Sequence, residues 1–272
     1  MIEGVEPAQR IRRYASSLYG LLLRDLRVQL RDGAGFVLRA IMNPLFFLFI
    51  FAFVFPRTGQ GFSGGGTTFA TILVPGLVGV AIFFQGVAAV ALPLAMELGG
   101  TREIEDRLMA PVPVALVAIE KILFSAMLSV ISAAMVFPLA WLLPGIPVEV
   151  TVANWPLLAA VVLLGSLAGG ALGLFLGTSV RPRQIGLMFS LVVIPITFLG
   201  CVYYPWARLD AVPWLQWAVL LDPLVYVSEG LRAALTPEVG HMPAPAFLGA
   251  IGLSLVVLTW AGVRGFLRRT IS

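Results

Sequence analysis

This sequence has one cysteine (Cys201), one histidine (His241) and one lysine (Lys121) in 272 residues. A single cysteine excludes an intrachain disulfide and leaves the redox compartment open. One histidine with one cysteine excludes an ordinary zinc cluster, which needs three or four such ligands. His241 sits beside Met242 and Pro243 in an expected loop and reads as incidental, so no metal site is expected. Charge is scarce as well. Asp, Glu, Lys and Arg make up 12% of the chain, where a soluble domain carries about 25%. All four are missing from Ala40–Pro56, Thr58–Met96, Ile122–Leu143, Val150–Val180, Gln184–Ala207 and Val239–Val263. A soluble fold cannot bury so many long uncharged runs. A bilayer can, because about 20 apolar residues cross its hydrocarbon. The phosphate-binding pattern GxxxxGK[ST] and the nucleophile pattern GxSxG are also absent. Gly59–Gly66 is rich in glycine but lacks the GK[ST] ending, and reads as a solvated linker. No pair of carboxylates falls inside a run, which counts against a proton relay at mid-membrane.

What is present is 59% hydrophobic, with a mean hydropathy of +0.97. The expectation is an all-α polytopic membrane protein forming one domain over 1–272. It begins with an amphipathic interfacial helix at about 8–32. Six spans follow at about 35–56, 69–95, 116–143, 154–178, 185–203 and 246–267, with short outer-interface helices between spans five and six. The first helix has a polar face carrying Arg13, Arg24, Arg27 and Arg31 at steps of three and four. Ile11, Leu18, Leu22, Leu26 and Leu30 form an opposing stripe. That pattern suits a helix lying in the membrane interface, with a soluble partner's groove as the alternative. The segment is too polar and too rich in Arg for a secretory signal.

The net charge of +4 reads as loop asymmetry rather than as affinity for nucleic acid. Fifteen of the eighteen basic residues fall on the side of the termini. The exceptions are Arg57, Arg208 and Arg232. The positive-inside rule then places both termini in the cytoplasm. Tyr204–Pro245 is too long for a turn and too polar to span. Its Trp and Tyr residues favour the headgroup zone, and part of it is allowed to dip into the bilayer where protein satisfies the backbone. Asp222, Tyr226, Glu229 and Arg232 are the candidate outer-gate residues there. Glu229 and Arg232 are three apart and are neighbours on a helix. A gate-stabilising pair and a solvated surface pair both fit the pattern.

The loop after span two carries Glu97, Thr101, Arg102, Glu103, Asp106, Arg107 and Leu108, ended by Pro111 and Pro113. A brief charged helix braced by prolines suits docking into a groove of another protein. A solvated hairpin loop fits it equally. These residues, with Met96, Val112 and Lys121, resemble the intracellular loop of the ABC-2 family of ATP-binding-cassette exporter permeases. The stretch Leu221–Leu235, with Asp222, Pro223, Leu224, Tyr226 and Arg232, is similar to the family's Asn-Pro-Leu-Thr-Tyr segment before the last span. The chain departs from the pattern at Gly99, where a charge is more usual, and at Asp222, where Asn is usual.

The resemblance implies a permease that is not itself an enzyme and has no cofactor on this chain. Mg-ATP would act on a separate ATP-binding-cassette ATPase subunit, seated on the loop helix at about 100–109. It also implies a second permease, identical or a paralogue, with membrane lipid around both and no nucleic acid. The setting would be the bacterial cytoplasmic (inner) membrane. The pathway would lie between the permeases, with Met188, Phe189, Pro195 and Phe198 of span five as candidate wall. The cargo would be a hydrophobic or amphipathic drug, lipid or metabolite. A lipid-linked polysaccharide is the alternative, and a non-transporting scaffold or channel is the reading from another class. The glycines of span four (Gly165, Gly169, Gly170, Gly173, Gly177) have small-xxx-small spacing. Packing within one subunit is the favoured reading of them over a dimer contact.

Overall fold

The computed structural model describes residues 7–31, 33–58, 69–97, 113–142 and 151–271. Among these residues the chain is helical and has no strand. Helix α1 (Pro7–Arg31) precedes α2 (Gly33–Phe47), which continues through a π-helical stretch, Leu48–Val54, and a last turn, Phe55–Arg57. Then come α3 (Phe69–Met96), α4 (Val114–Leu142) and α5 (Trp155–Ser179). A short broken helix follows, α6 (Ile185–Leu199). Two small elements, α7 (Pro213–Ala218) and α8 (Pro223–Leu235), lead to the last long helix, α9 (Ala244–Ile271).

Among the described residues five helices are long and apolar enough to cross a membrane: Gly33–Phe51, Thr71–Met96, Val114–Leu139, Trp155–Ser179 and Ala244–Thr270. The fifth expected span is shorter than the sequence suggests. It ends at Leu199 rather than Tyr203, because Gly200 leaves the helix and Cys201 turns at φ 52°. Its 15 residues cover about 22 Å, less than the roughly 30 Å of hydrocarbon. A π-helical stretch, Phe189–Val193, interrupts it just before Pro195, whose ring offers no N–H to the preceding turn.

Local chemistry fixes the helix starts. Asn154 caps α5 by accepting the Leu157 N–H at 3.0 Å, and Pro156 follows within the first turn. Asp222 caps α8 in the same way, accepting the Leu224 N–H at 2.9 Å, with Pro223 next. The centre of the bundle is the packing of α3 against α5, and glycine makes it close. A Cβ on Gly86 would meet the Gly169 backbone at 2.9 Å, and one on Gly173 would meet the Val87 carbonyl at the same distance. The small-residue face of α5 is therefore used within the chain, against α3 and α4.

The outer segment differs from a set of helices lying flat. α7 is exposed at Trp214 and Trp217. α8 instead packs on α3, α5 and α9, and Leu224, Val227, Leu231 and Leu235 are fully buried. The physical reason is that its two charges neutralise each other, leaving a helix of small and apolar residues suited to the core.

A charged clamp and a lateral groove

Glu229 and Arg232 lie on α8 with no exposed surface. Arg232 Nη1 donates to Glu229 Oε1 at 2.6 Å, and Arg232 Nη2 donates to the Cys201 carbonyl at 2.9 Å. The same Glu229 Oε1 accepts the Trp206 N–H, and Oε2 accepts the Met242 N–H, each at 2.9 Å. A buried ion is tolerated when paired and hydrogen-bonded. Here the pair ties together three chain segments: the end of α6, the turn at Trp206 and the approach to α9. Tyr226 donates its hydroxyl to the Leu220 carbonyl at 2.7 Å. Asp222 is 8% exposed, and its Oδ2 has no hydrogen-bond partner among the described residues. Burial pushes its carboxyl up to about 8 from 3.8, against the opposing Leu224 N–H.

The positive φ of Cys201 lies inside this arrangement. A side chain with a Cβ is strained there, and the bond from Arg232 to the Cys201 carbonyl holds the turn. Beside it, Tyr203 packs on Phe47, Phe51 and Phe198 at ring-centroid distances of 5.9, 5.2 and 5.9 Å. This cluster joins the far end of α2 to the far end of α6.

A second site lies at the other end of the bundle. Glu97 Oε2 and Lys121 Nζ form an ion pair at 2.9 Å, with side chains 10% and 8% exposed. It links the end of α3 to the first turns of α4, the two helices that bracket residues 98–112. The pair closes one end of a lateral groove of about 1240 Å³ between α1, α2, α3 and α4. Arg24 and Asp25 of α1 also line the groove that this ion pair closes. Away from it the wall is apolar, with Phe36 and Phe46 of α2, Phe84 of α3, Phe124 and Leu128 of α4, and Phe189 of α6.

The expected site residues divide accordingly. Glu229 and Arg232 are brought together as a buried pair, while Asp222 caps the start of α8 and the half-buried Tyr226 bonds the Leu220 carbonyl. Of the loop candidates, Glu97 is described and paired, while Thr101, Arg102, Glu103, Asp106, Arg107 and Leu108 lie outside the described residues. Arg24, Arg27 and Arg31 are exposed on α1; the Arg13 side chain lies outside the described part. Tyr19, Val28 and Leu30 of α1 are also exposed, at 61% or more. The four candidates on span five part company. Met188 is buried in the core, Pro195 and Phe198 are exposed, and Phe189 reaches the groove, where its ring meets Phe84 edge-on at 6.3 Å. Sequence reading missed the groove itself. Its walls come from helices distant in sequence, and the only local signal was Lys121, the single lysine.

A family model described as ABC-2 type transporter matches residues 16–236 of the chain. No curated protein matches it.

Proposed function

This chain belongs to the ABC-2 type transporter family, and on that premise we propose that it is the permease through which an ABC exporter moves a hydrophobic or amphipathic drug, lipid or metabolite out of a bacterial cell. ABC-2 permeases work with an ATPase subunit. In this reading the partner sits on residues 98–112 and on the Arg-rich face of α1. A second permease completes the pathway, and Mg-ATP is bound by the ATPase. Both termini and this loop face the cytoplasm, in keeping with the fifteen basic residues gathered on that side.

The Glu97–Lys121 ion pair carries the proposal. It spans the base of the loop and is nearly buried, so movement of the loop is passed to α3 and α4 together. A linkage of this kind lets nucleotide on a partner bias two arrangements of the helices. The aromatic rings Phe47, Phe51, Phe198 and Tyr203 pack on one another, which suits a small apolar cargo better than a wide glycan channel.

The test is Glu103→Ala with Arg107→Ala in the permease–ATPase complex. Loss of assembly, or ATP hydrolysis that no longer drives export, is the expected outcome, with the helices still folded by circular dichroism. Normal assembly and export by the double variant would overturn the role of this loop.

A further inference from the structure

We propose that Asp222 is a proton-binding site at the end of the bundle opposite the Glu97–Lys121 pair: its carboxylic acid form seats the first turn of α8, and loss of the proton to the outer medium releases that turn. The proposal rests on the permease reading only for which side of the membrane Asp222 faces.

The first argument is the isolation of one oxygen. Asp222 Oδ1 accepts the Leu224 N–H at 2.9 Å. Oδ2 is buried and has no hydrogen-bond partner among the described residues. An ionised carboxylate accepts through both oxygens and must be paired or solvated when buried. Here one oxygen is neither. A carboxylic acid needs less, because Oδ1 serves as its carbonyl and Oδ2 carries the proton. In that form Asp222 has the shape and the cap of an Asn side chain, with a proton that can leave.

The neighbours supply no counter-charge. α8 packs on α3, α5, α6 and α9. The first three carry no Asp, Glu, Lys, Arg, His, Cys or Tyr, and α9 has none before Arg264. The buried cation of α8, Arg232, gives Nη1 to Glu229 and Nη2 to the Cys201 carbonyl. Tyr226 donates its hydroxyl to the Leu220 carbonyl. Cys201 and Tyr204, on the turn after α6, are the other titratable groups that feel the charge of Asp222. Burial pushes the Cys201 thiol up to about 12 and raises Tyr204 and Tyr226, so none of these three ionises near neutral pH. Burial raises the Asp222 carboxyl to about 8, which leaves it as the one of the four that exchanges a proton there.

Linkage sets the direction. Released to water, the turn holds its carboxyl near 3.8; docked, it holds it near 8. Docking therefore takes up a proton between those values. The docked share falls by up to about tenfold for each pH unit until pH 8 or so, and then levels off. Trp217 and Leu221, exposed at 70% and 90%, lie just before the cap, so the released turn continues a segment that already faces outward.

Two measurements on the full-length permease in lipid nanodiscs test this, and neither needs ATP or an ATPase. The first is infrared absorption of the protonated carboxyl carbonyl, read as the difference between wild type and Asp222→Asn. The band is expected at pH 6 and fades with a midpoint near pH 8. The second is hydrogen exchange from Leu221 to Leu231, wild type against Asp222→Asn at each pH, so that intrinsic exchange cancels. The wild-type excess grows from pH 5 to pH 8, by up to about tenfold per unit, and levels off above. His241→Gln, which removes the loop histidine, keeps that growth. An ionised Asp222 at pH 6 overturns the proposal. So does an exchange excess that does not change with pH, or growth that disappears in His241→Gln. Asp222→Asn keeps the cap to Leu224; should it still fail to fold, carbon-13 labelling of the aspartate carboxyls in the wild type reads the same band. Failure here leaves the permease reading standing, and failure of ATP coupling leaves this titration standing.

Discussion

Glu229 accepts three hydrogen bonds, one from Arg232 and two from backbone N–H groups of distant segments. That count decides how its substitution behaves. Glu229→Ala leaves a fully buried guanidinium without its carboxylate and two N–H donors without acceptors. A loss of about 3–5 kcal/mol is expected, as for breaking one partner of a buried pair, read as a fall in thermal stability in detergent. The charge swap Glu229→Arg with Arg232→Glu does not restore it, because arginine accepts nothing from Trp206 or Met242. Recovery by the swap would show that the pair acts through charge alone. Asp222 makes a second prediction. Its carboxyl lies near 3.8 in the unfolded chain and is pushed up to about 8 by burial. Between these pH values the folded chain holds a proton that the unfolded chain has released. The group's stabilisation is therefore full below about pH 4, falls as pH rises and levels off above about pH 8. Asp222→Asn keeps the cap to Leu224 and has no proton to lose. Its melting temperature should exceed that of the wild type by a margin that widens from pH 5 to pH 8. Parallel curves would contradict the burial argument.

Among the elements, α3 and α5 form the most closely packed pair, and glycine sets their separation. Gly173→Leu drives a side chain into the Val87 carbonyl, which lies 2.9 Å from an ideal Cβ. Overpacking of this kind costs about 1–3 kcal/mol or more. It should lower thermal stability well beyond Gly249→Leu, where nothing lies within 4 Å of the Cβ. The contrast is measured in one detergent at one pH. The long helices were legible in the sequence because each holds a long uncharged run, with its charges gathered near one end or absent, and the bilayer permits little else. The end of α6 was not, since Val202 and Tyr203 continue the apolar run while the chain has already turned at Cys201. The depth of α8 was hidden for the opposite reason. Glu229 and Arg232 read equally as a gate pair or a surface pair until their partners, 23 and 31 residues back and 13 ahead, are seen to satisfy them. The groove could not be read at all, because period and composition describe one helix at a time and its walls come from five.

For the whole molecule, the two charged sites stand at opposite ends of the bundle and divide the work. The clamp around Arg232 holds α6, α8 and α9 together, and the Glu97–Lys121 pair ties the loop side of α3 to α4. The proposed coupling needs one region held fast and one joined to the loop, and these two sites are the candidates for those parts. The most direct test of the account is ATP hydrolysis by the permease–ATPase complex in nanodiscs, set against the ATPase alone, comparing wild type with Lys121→Met. The account predicts hydrolysis that the wild-type permease raises above the rate of the ATPase alone and that the variant leaves at that rate although it still assembles. Equal stimulation by both proteins, or a wild-type rate no different from that of the ATPase alone, would contradict it.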